Sequence, residues 1–244
     1  FGAAGRSGPR PEESLVPAMS FGDSDTVFPV GLPPEWERQL EPGKLHMTDL
    51  KWHAEGELGW PIMVFEATPR RAPTERLEFH IVQTGCPAAV QEQTLAARLG
   101  DKAANVMLAR DTQVFKNSTF LMYPAVDMTL DTMMEDRTPK PREAPTKSLP
   151  ILIDVLRGLV SLEAADAVHY DLTPQNVMMK DGRAYIGGLG KSCLGKSCPP
   201  GERARPHYAL GSPFRIAPEV DSGKPVHPSN HMWSAGVLFA ELLF

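Results

Sequence analysis

The sequence predicts an α+β chain of two lobes, a β-rich first half followed by a helical second half. Three observations carry this. Between Trp52 and Val126 short β-prone runs alternate with turn residues. Beyond a polar, proline-rich segment (EDRTPKPREAPTKS, 135–148) the apolar residues recur with a helical period instead. A length of 244 residues with 42% hydrophobic content is enough to bury a core in one ordinary domain or two small lobes. A cleft between two such halves is where a ligand site is expected.

Taken in order, residues 1–44 are rich in Gly, Pro, Ser and charge, which predicts a largely disordered extension with one short helix at LPPEWERQL. The first lobe, 45–126, contains the strand candidates PIMVFEAT, RLEFHIV, NVMLARD and STFLMYPAV. One helix interrupts them, AAVQEQTLAARLG, built of good helix formers and stopped by Gly100. The second lobe, 127–244, opens its helical part with LPILIDVLRGLVSLEAADAV. There Leu152, Val155, Leu156, Leu159 and Val160 fall on one face. The final HMWSAGVLFAELLF is apolar nearly all round, which predicts a buried helix. It stops inside that pattern, and the chain opens on Phe1 without a charged-then-apolar leader, so the expectation is a fragment of a larger protein.

A net charge of −5 gives no general reason to expect nucleic acid binding, and no apolar run approaches the length of a membrane span. Cys86, Cys193 and Cys198 do not make a disulfide framework. GKSCLGKS, 190–197, satisfies the phosphate-loop pattern G-x-x-x-x-G-K-[ST]. That loop needs a helix leaving it to point backbone N–H groups at phosphate, and Pro199, Pro200 and Gly201 follow at once. A Walker loop is not the expected reading on that ground.

The most informative stretch lies between the two helices. His169-Tyr170-Asp171-Leu172-Thr173-Pro174-Gln175-Asn176 resembles the protein-kinase catalytic loop H-R-D-L-x-x-x-N, with the spacing from Asp171 to Asn176 preserved. Downstream, Ala217-Pro218-Glu219 matches the A-P-E that closes an activation segment. MWSAGVLFAELL resembles the large helix after it, with Trp233, Ser234 and Gly236 in register. The resemblance to protein kinases implies a bilobal fold, cut off here inside that helix. It implies Asp171 as the base toward a substrate hydroxyl, Asn176 as a metal ligand and His169 as a structural anchor. More narrowly, VFEATPRR…EFHIV, FKNSTFLMYPAVDMTLDTMM and LVSLEAADAVHYDLTPQNVMM look like the rhoptry kinases and pseudokinases of coccidian parasites. That likeness implies a secretory-organelle protein delivered into a host cell.

Other parts of the family's machinery are replaced. Where Asp-Phe-Gly is expected the chain reads Gly188-Leu189-Gly190, so the metal-binding Asp is a glycine. Counting back from Val64, the glycine-rich loop positions are Glu57, Gly59 and Ile62, with one glycine left and a carboxylate where phosphates approach. The strand-three lysine aligns with His80, and its helix partner with Glu92; a protonated His80 paired with Glu92 is one reading and an ordinary histidine the other. Lys51 is a candidate substitute cation. Tyr170 replaces the arginine before the catalytic Asp, and His231 the Asp that braces the loop. Met122 and Tyr123, in the hinge LMYPAV, are the remaining cofactor-contact candidates, and Asp127 or Asp131 a ribose contact. GKSCLGKSC becomes the start of an activation segment: a basic, solvated surface loop with Lys191, in which Ser192 and Ser197 are conceivable phosphorylation sites.

Kinase catalysis is almost wholly positioning and charge stabilisation, and these replacements remove most of both. The expectation is a pseudokinase that holds ATP and Mg²⁺ weakly or not at all and acts on a protein partner, an active kinase or a host protein. The alternative is a divergent active Ser/Thr kinase. Neither nucleic acid nor a membrane span enters this reading.

Overall fold

The computed structural model describes residues 33–53, 60–72, 74–100, 103–135, 144–195, 215–225 and 227–243. Gly59, Glu57, Lys196, Ser197, Cys198 and most of residues 1–44 lie outside them. The first lobe is a five-stranded antiparallel sheet in the order β1-β2-β3-β5-β4, from β1 (Leu40–His53), β2 (Trp60–Pro69), β3 (Leu77–Gln83), β4 (Asp111–Phe115) and β5 (Ser118–Pro124). Two helices pack with it, α1 (Pro34–Gln39) and α2 (Pro87–Leu99). Both begin with a proline in the first turn, where no N–H is needed, and α2 ends at Gly100 with φ +52°.

The sheet starts at Leu40, before the expected boundary at 45, and α1 seals it. Trp36 is fully buried with its ring 5.0 Å from Phe79 and edge-on to Phe120, and its indole N–H donates to Asp111 at 2.8 Å. The expected strand NVMLARD is not one. Val106 forms only an isolated bridge to Ile186, and the strand lies at Asp111–Phe115, because residues 105–107 are committed to the second lobe.

The second lobe holds α3 (Leu130–Glu135), α4 (Ala144–Ala164), α5 (Pro218–Asp221) and α6 (Asn230–Leu243). It also has the small pairings β6 (Met128–Thr129) with β8 (Val177–Lys180) and β9 (Arg183–Ile186), and β7 (Ala167–Val168) with β10 (Cys193–Leu194). Its core joins Ile151, Val155, Leu159 and Leu162 of α4 to Leu172, Ile186, Leu238 and Leu242. The apolar face of α4 is thus rotated from the expected one, and Val160 is 64% exposed. The rotation has a cause: Asp154 points inward and takes two 2.7 Å bonds from Arg183 and one from the Ala184 N–H at 3.2 Å. Gly158 permits the close approach, since a Cβ there would sit 2.6 Å from the Asn105 carbonyl. The last helix is not buried all round: α6 packs Ala235, Leu238 and Leu242 inward and leaves Met232 and Trp233 exposed.

Candidate functional site

A cavity of about 270 Å³ lies between the lobes, and strand alternation decides what lines it. On β3, Leu77, Phe79 and Ile81 enter the sheet core, while Glu78, His80 and Val82 face the cavity. On β5, Leu121 and Tyr123 face it and Phe120 and Met122 enter the core. Met122 is therefore no cavity contact, contrary to expectation: its neighbour Tyr123 takes the inward position. Val64 pairs with His80 across β2–β3 and shares its face, yet it does not line the cavity.

The upper wall differs from the expected ion pair. His80 Nε2 lies 2.6 Å from Glu78 Oε1, its neighbour on the same strand face, and its ring packs 4.7 Å from that of Tyr123. Glu92 of α2 accepts instead from the Tyr123 hydroxyl. Burial first, and the Glu92 carboxylate second, hold that phenol well above its ordinary range. His80 and Glu92 are not partners, because a histidine is too short to cross to α2 and finds a carboxylate two residues away.

The lower wall is the loop after β7. The buried His169 ring donates from Nε2 to the Gly187 carbonyl at 2.8 Å and accepts the Asp171 N–H at Nδ1, 3.2 Å, an assignment made from these partners. Burial holds its pKa below the usual imidazole value. Above it, the His169 N–H donates to His231 Nε2 at 2.9 Å, so His231 braces the loop as a neutral acceptor. Burial, with His169 adding to it, pushes the His231 pKa down to about 3. Tyr170 turns the chain with φ +64°, a conformation bulky residues rarely adopt.

The β8–β9 hairpin, turned at Asp181 and Gly182 with φ +50° and +71°, delivers Gly187 and Gly188 to the cavity floor. There Asn176 donates from Nδ2 to the Asp171 carbonyl at 2.7 Å and to Asp171 Oδ2 at 3.1 Å. Its Oδ1 fills the space beside Gly188, where a Cβ would lie 2.4 Å away. Gly188 has φ +67°. The first residues of the activation segment, Leu189–Lys191, form a 3₁₀ turn. Gly190 is pressed against Ala88 of α2, a Cβ at 190 meeting that of Ala88 at 2.6 Å. Lys191 is thereby aimed inward, and its Nζ sits 2.8 Å from Asp171 Oδ2 with the two side chains only 20% and 17% exposed.

This corrects the expectation of a solvated loop at Lys191. Sequence reasoning missed this placement because nothing local marks a lysine just after Gly188-Leu189-Gly190 as inward-facing. Ser192 is buried, its hydroxyl without a protein partner, which removes it as an accessible phosphorylation site. Cys193 is disulfide-bonded while Cys86 is a free, buried thiol. Glu219 accepts from Asn230, Arg215 is held by Glu241 of α6, and Gly236 has open space at its Cβ position. Asp127 caps the β8–β9 turn by accepting the Asp181 N–H at 2.8 Å. The side chain of Lys51 lies outside the described set. Among the described residues no cluster of His, Cys, Asp and Glu has the arrangement of a metal site, and no helix is long and apolar enough to cross a membrane.

A sheet-rich lobe over a helical lobe, with a histidine-anchored Asp and Asn on the floor between them, is the arrangement of a protein kinase. The protein kinase domain model matches residues 80–244. The chain belongs to the protein kinase family. It is similar to the serine/threonine-protein kinase PkaB of Streptomyces coelicolor, 30% identical over 161 residues, 63% of this chain and 37% of that protein. It is also similar to the human dual specificity testis-specific protein kinase 1, 29% identical over 110 residues (43% of this chain, 17% of that one). A third relative is homeodomain-interacting protein kinase 1 of Caenorhabditis elegans, 27% identical over 155 residues (62% and 18%). The chain thus spans well under half the length of these relatives.

Proposed function

We propose that this domain is a pseudokinase, a kinase fold that has given up phosphoryl transfer and acts as a scaffold or allosteric partner of another protein. One observation supports it above the others: the groups that would serve metal and substrate are engaged with one another. Asp171 carries the Lys191 ammonium on Oδ2, Asn176 turns its amide nitrogen to the same carboxylate, and position 188 has no side-chain oxygen. A divalent cation needs oxygen ligands arranged around it, and the Lys191 ammonium, held on the same carboxylate oxygen as the Asn176 amide nitrogen, repels it. This residue set does not suit Mg²⁺. His80, bound to Glu78, supplies no permanent cation toward phosphates.

The reading of a divergent active kinase has its own support in Asp171 and Asn176, which keep the spacing and contact of a working catalytic loop. The likeness of the sequence to the rhoptry branch supports a host protein or an active kinase as the class of partner. The two activity readings separate in a phosphoryl-transfer assay of the full chain on a generic basic protein substrate, with Mg²⁺ and with Mn²⁺. Silence in both metals is expected. Transfer that Asp171→Ala abolishes would overturn the proposal.

A further inference from the structure

The β4–β5 hairpin presents Asn117-Ser118-Thr119, the acceptor pattern N-x-S/T of N-linked glycosylation, with no proline at its centre. So short a pattern is matched easily, and its place in the fold decides what it is worth. The ladder closes at the Phe115–Ser118 pair and leaves Lys116 and Asn117 as a two-residue turn. Lys116 takes the left-handed bend, φ +54°, and lays its ammonium 5.3 Å from the centre of the Phe115 ring. Asn117 is left exposed at the tip. Its carbonyl accepts from the Thr84 N–H at 3.1 Å, so the turn is fixed through the main chain. Among the described residues no hydrogen bond engages its side-chain amide. The cavity is lined by Leu121 and Tyr123, further along β5, so a bulky group on Asn117 leaves it open.

A second, independent observation lies in the other lobe. Cys193 is disulfide-bonded, while Cys86 is a buried free thiol. Disulfides form and persist in oxidising compartments such as the secretory lumen, and are rare where glutathione keeps thiols reduced. Asparagine-linked sugar belongs to the same route. We propose that the chain passes through an oxidising secretory lumen and that Asn117 carries an N-linked oligosaccharide. The donor is an oligosaccharide joined to a lipid through pyrophosphate. The Asn117 amide nitrogen bonds to the anomeric carbon of the sugar, and the bond from that carbon to the pyrophosphate oxygen breaks. The nitrogen gives up one proton, the lipid pyrophosphate leaves with the bonding pair, and nothing is oxidised or reduced. Recognition of the acceptor needs the Thr119 hydroxyl within reach. In the folded lobe Ser118 and Thr119 are only 8% and 4% exposed and pair with Gln83 and Val82 of β3. Transfer therefore precedes the closing of β5 against β3, and folding leaves the sugar on the exposed turn. Nothing in this placement depends on whether the cleft transfers phosphate.

The test is a mass measurement on the full chain purified from the cells that make it. Its peptides are treated with peptide N-glycosidase in heavy-oxygen water, which removes the sugar and leaves a labelled aspartate. The peptide containing position 117 is expected to gain about 3 Da over its unmodified mass, and only with the glycosidase. In the same cells Asn117→Gln and Thr119→Val should each lose the sugar, whereas Thr119→Ser, which keeps the hydroxyl, should retain it. Alkylation of the same sample before and after reduction reads the compartment, and Cys193 should react only after reduction. An unshifted peptide overturns the proposal whatever the state of Cys193. Sugar that persists in Asn117→Gln overturns it too, and a Cys193 that reacts without reduction overturns the oxidising passage. Where a variant does not accumulate, the peptide mass from the unmodified chain decides.

Discussion

Gly188 stands where the family resemblance would place a metal-binding Asp. Restoring a carboxylate there meets two obstacles, the left-handed φ of +67° and the Asn176 oxygen, 2.4 Å from where a Cβ would stand. Gly188→Asp should therefore cost about 1–2 kcal/mol in urea unfolding, the penalty of a left-handed non-glycine residue. It should leave ATP unable to raise the melting temperature in Mg²⁺; a Mg²⁺-dependent rise in that variant would show that the metal position is still intact. His231 makes a second prediction. Its folded pKa of about 3 lies below the ordinary 6.5, so between these values the unfolded chain binds the extra proton. The contribution is complete above 6.5 and is lost as pH falls toward 3. Thermal melts from pH 8 to pH 5 should show falling stability, with a shallower slope in His231→Asn. That Asp171, Asn176 and Gly188 meet at the cavity, with His169 tied to Gly187 beside them, was legible because motif spacing marks these positions. Lys191 was not, since only the close seat of Gly190 on Ala88 turns it inward.

Two elements depend on polar staples that periodicity does not reveal. Helix α4 and the β8–β9 hairpin are joined through Asp154, whose carboxyl is held below the usual carboxylate range by the Arg183 hydrogen bonds first, against the opposing effect of burial. A depressed carboxylate stabilises fully above its unfolded value of 3.8 and ceases to as pH falls below it. Asp154→Ala should cost about 2 kcal/mol near neutral pH, mainly from the unpaired Ala184 N–H. The difference from the unmodified protein should narrow in melts as pH falls below 3.8. Helix α1 was legible as a helix, but its importance was not. Trp36 fills the space over Phe79 and Phe120, and Trp36→Ala should destabilise by about 3–5 kcal/mol in denaturant unfolding. The face of α4 was misplaced for the reason that makes Asp154 informative: an inward carboxylate breaks the apolar count.

At the scale of the molecule, the change of period along the chain pointed to the observed mix of a sheet-rich part and a helical part, because a strand and a helix bury their apolar residues at different spacings. The site between them was half legible. Its floor is local in sequence, whereas its upper wall is assembled from β3, α2 and β5 and depends on which way each strand faces. The pseudokinase reading predicts that ATP, with or without Mg²⁺, leaves the melting temperature of the full chain unchanged. A ligand at a hundred times its Kd would add about 2.7 kcal/mol of stability, so a shift of even a few degrees would contradict the prediction.

The bond from Tyr123 to Glu92 has a mechanical meaning. It bolts the strand leading out of the first lobe to helix α2, and α2 in turn rests on Gly190 at the root of the activation segment. Cleft wall, helix and segment root are thus joined by consecutive contacts. An occupant that displaced the Tyr123 ring would break the bond to Glu92 and loosen the hold of the sheet on α2, whose outer side carries the exposed Val90.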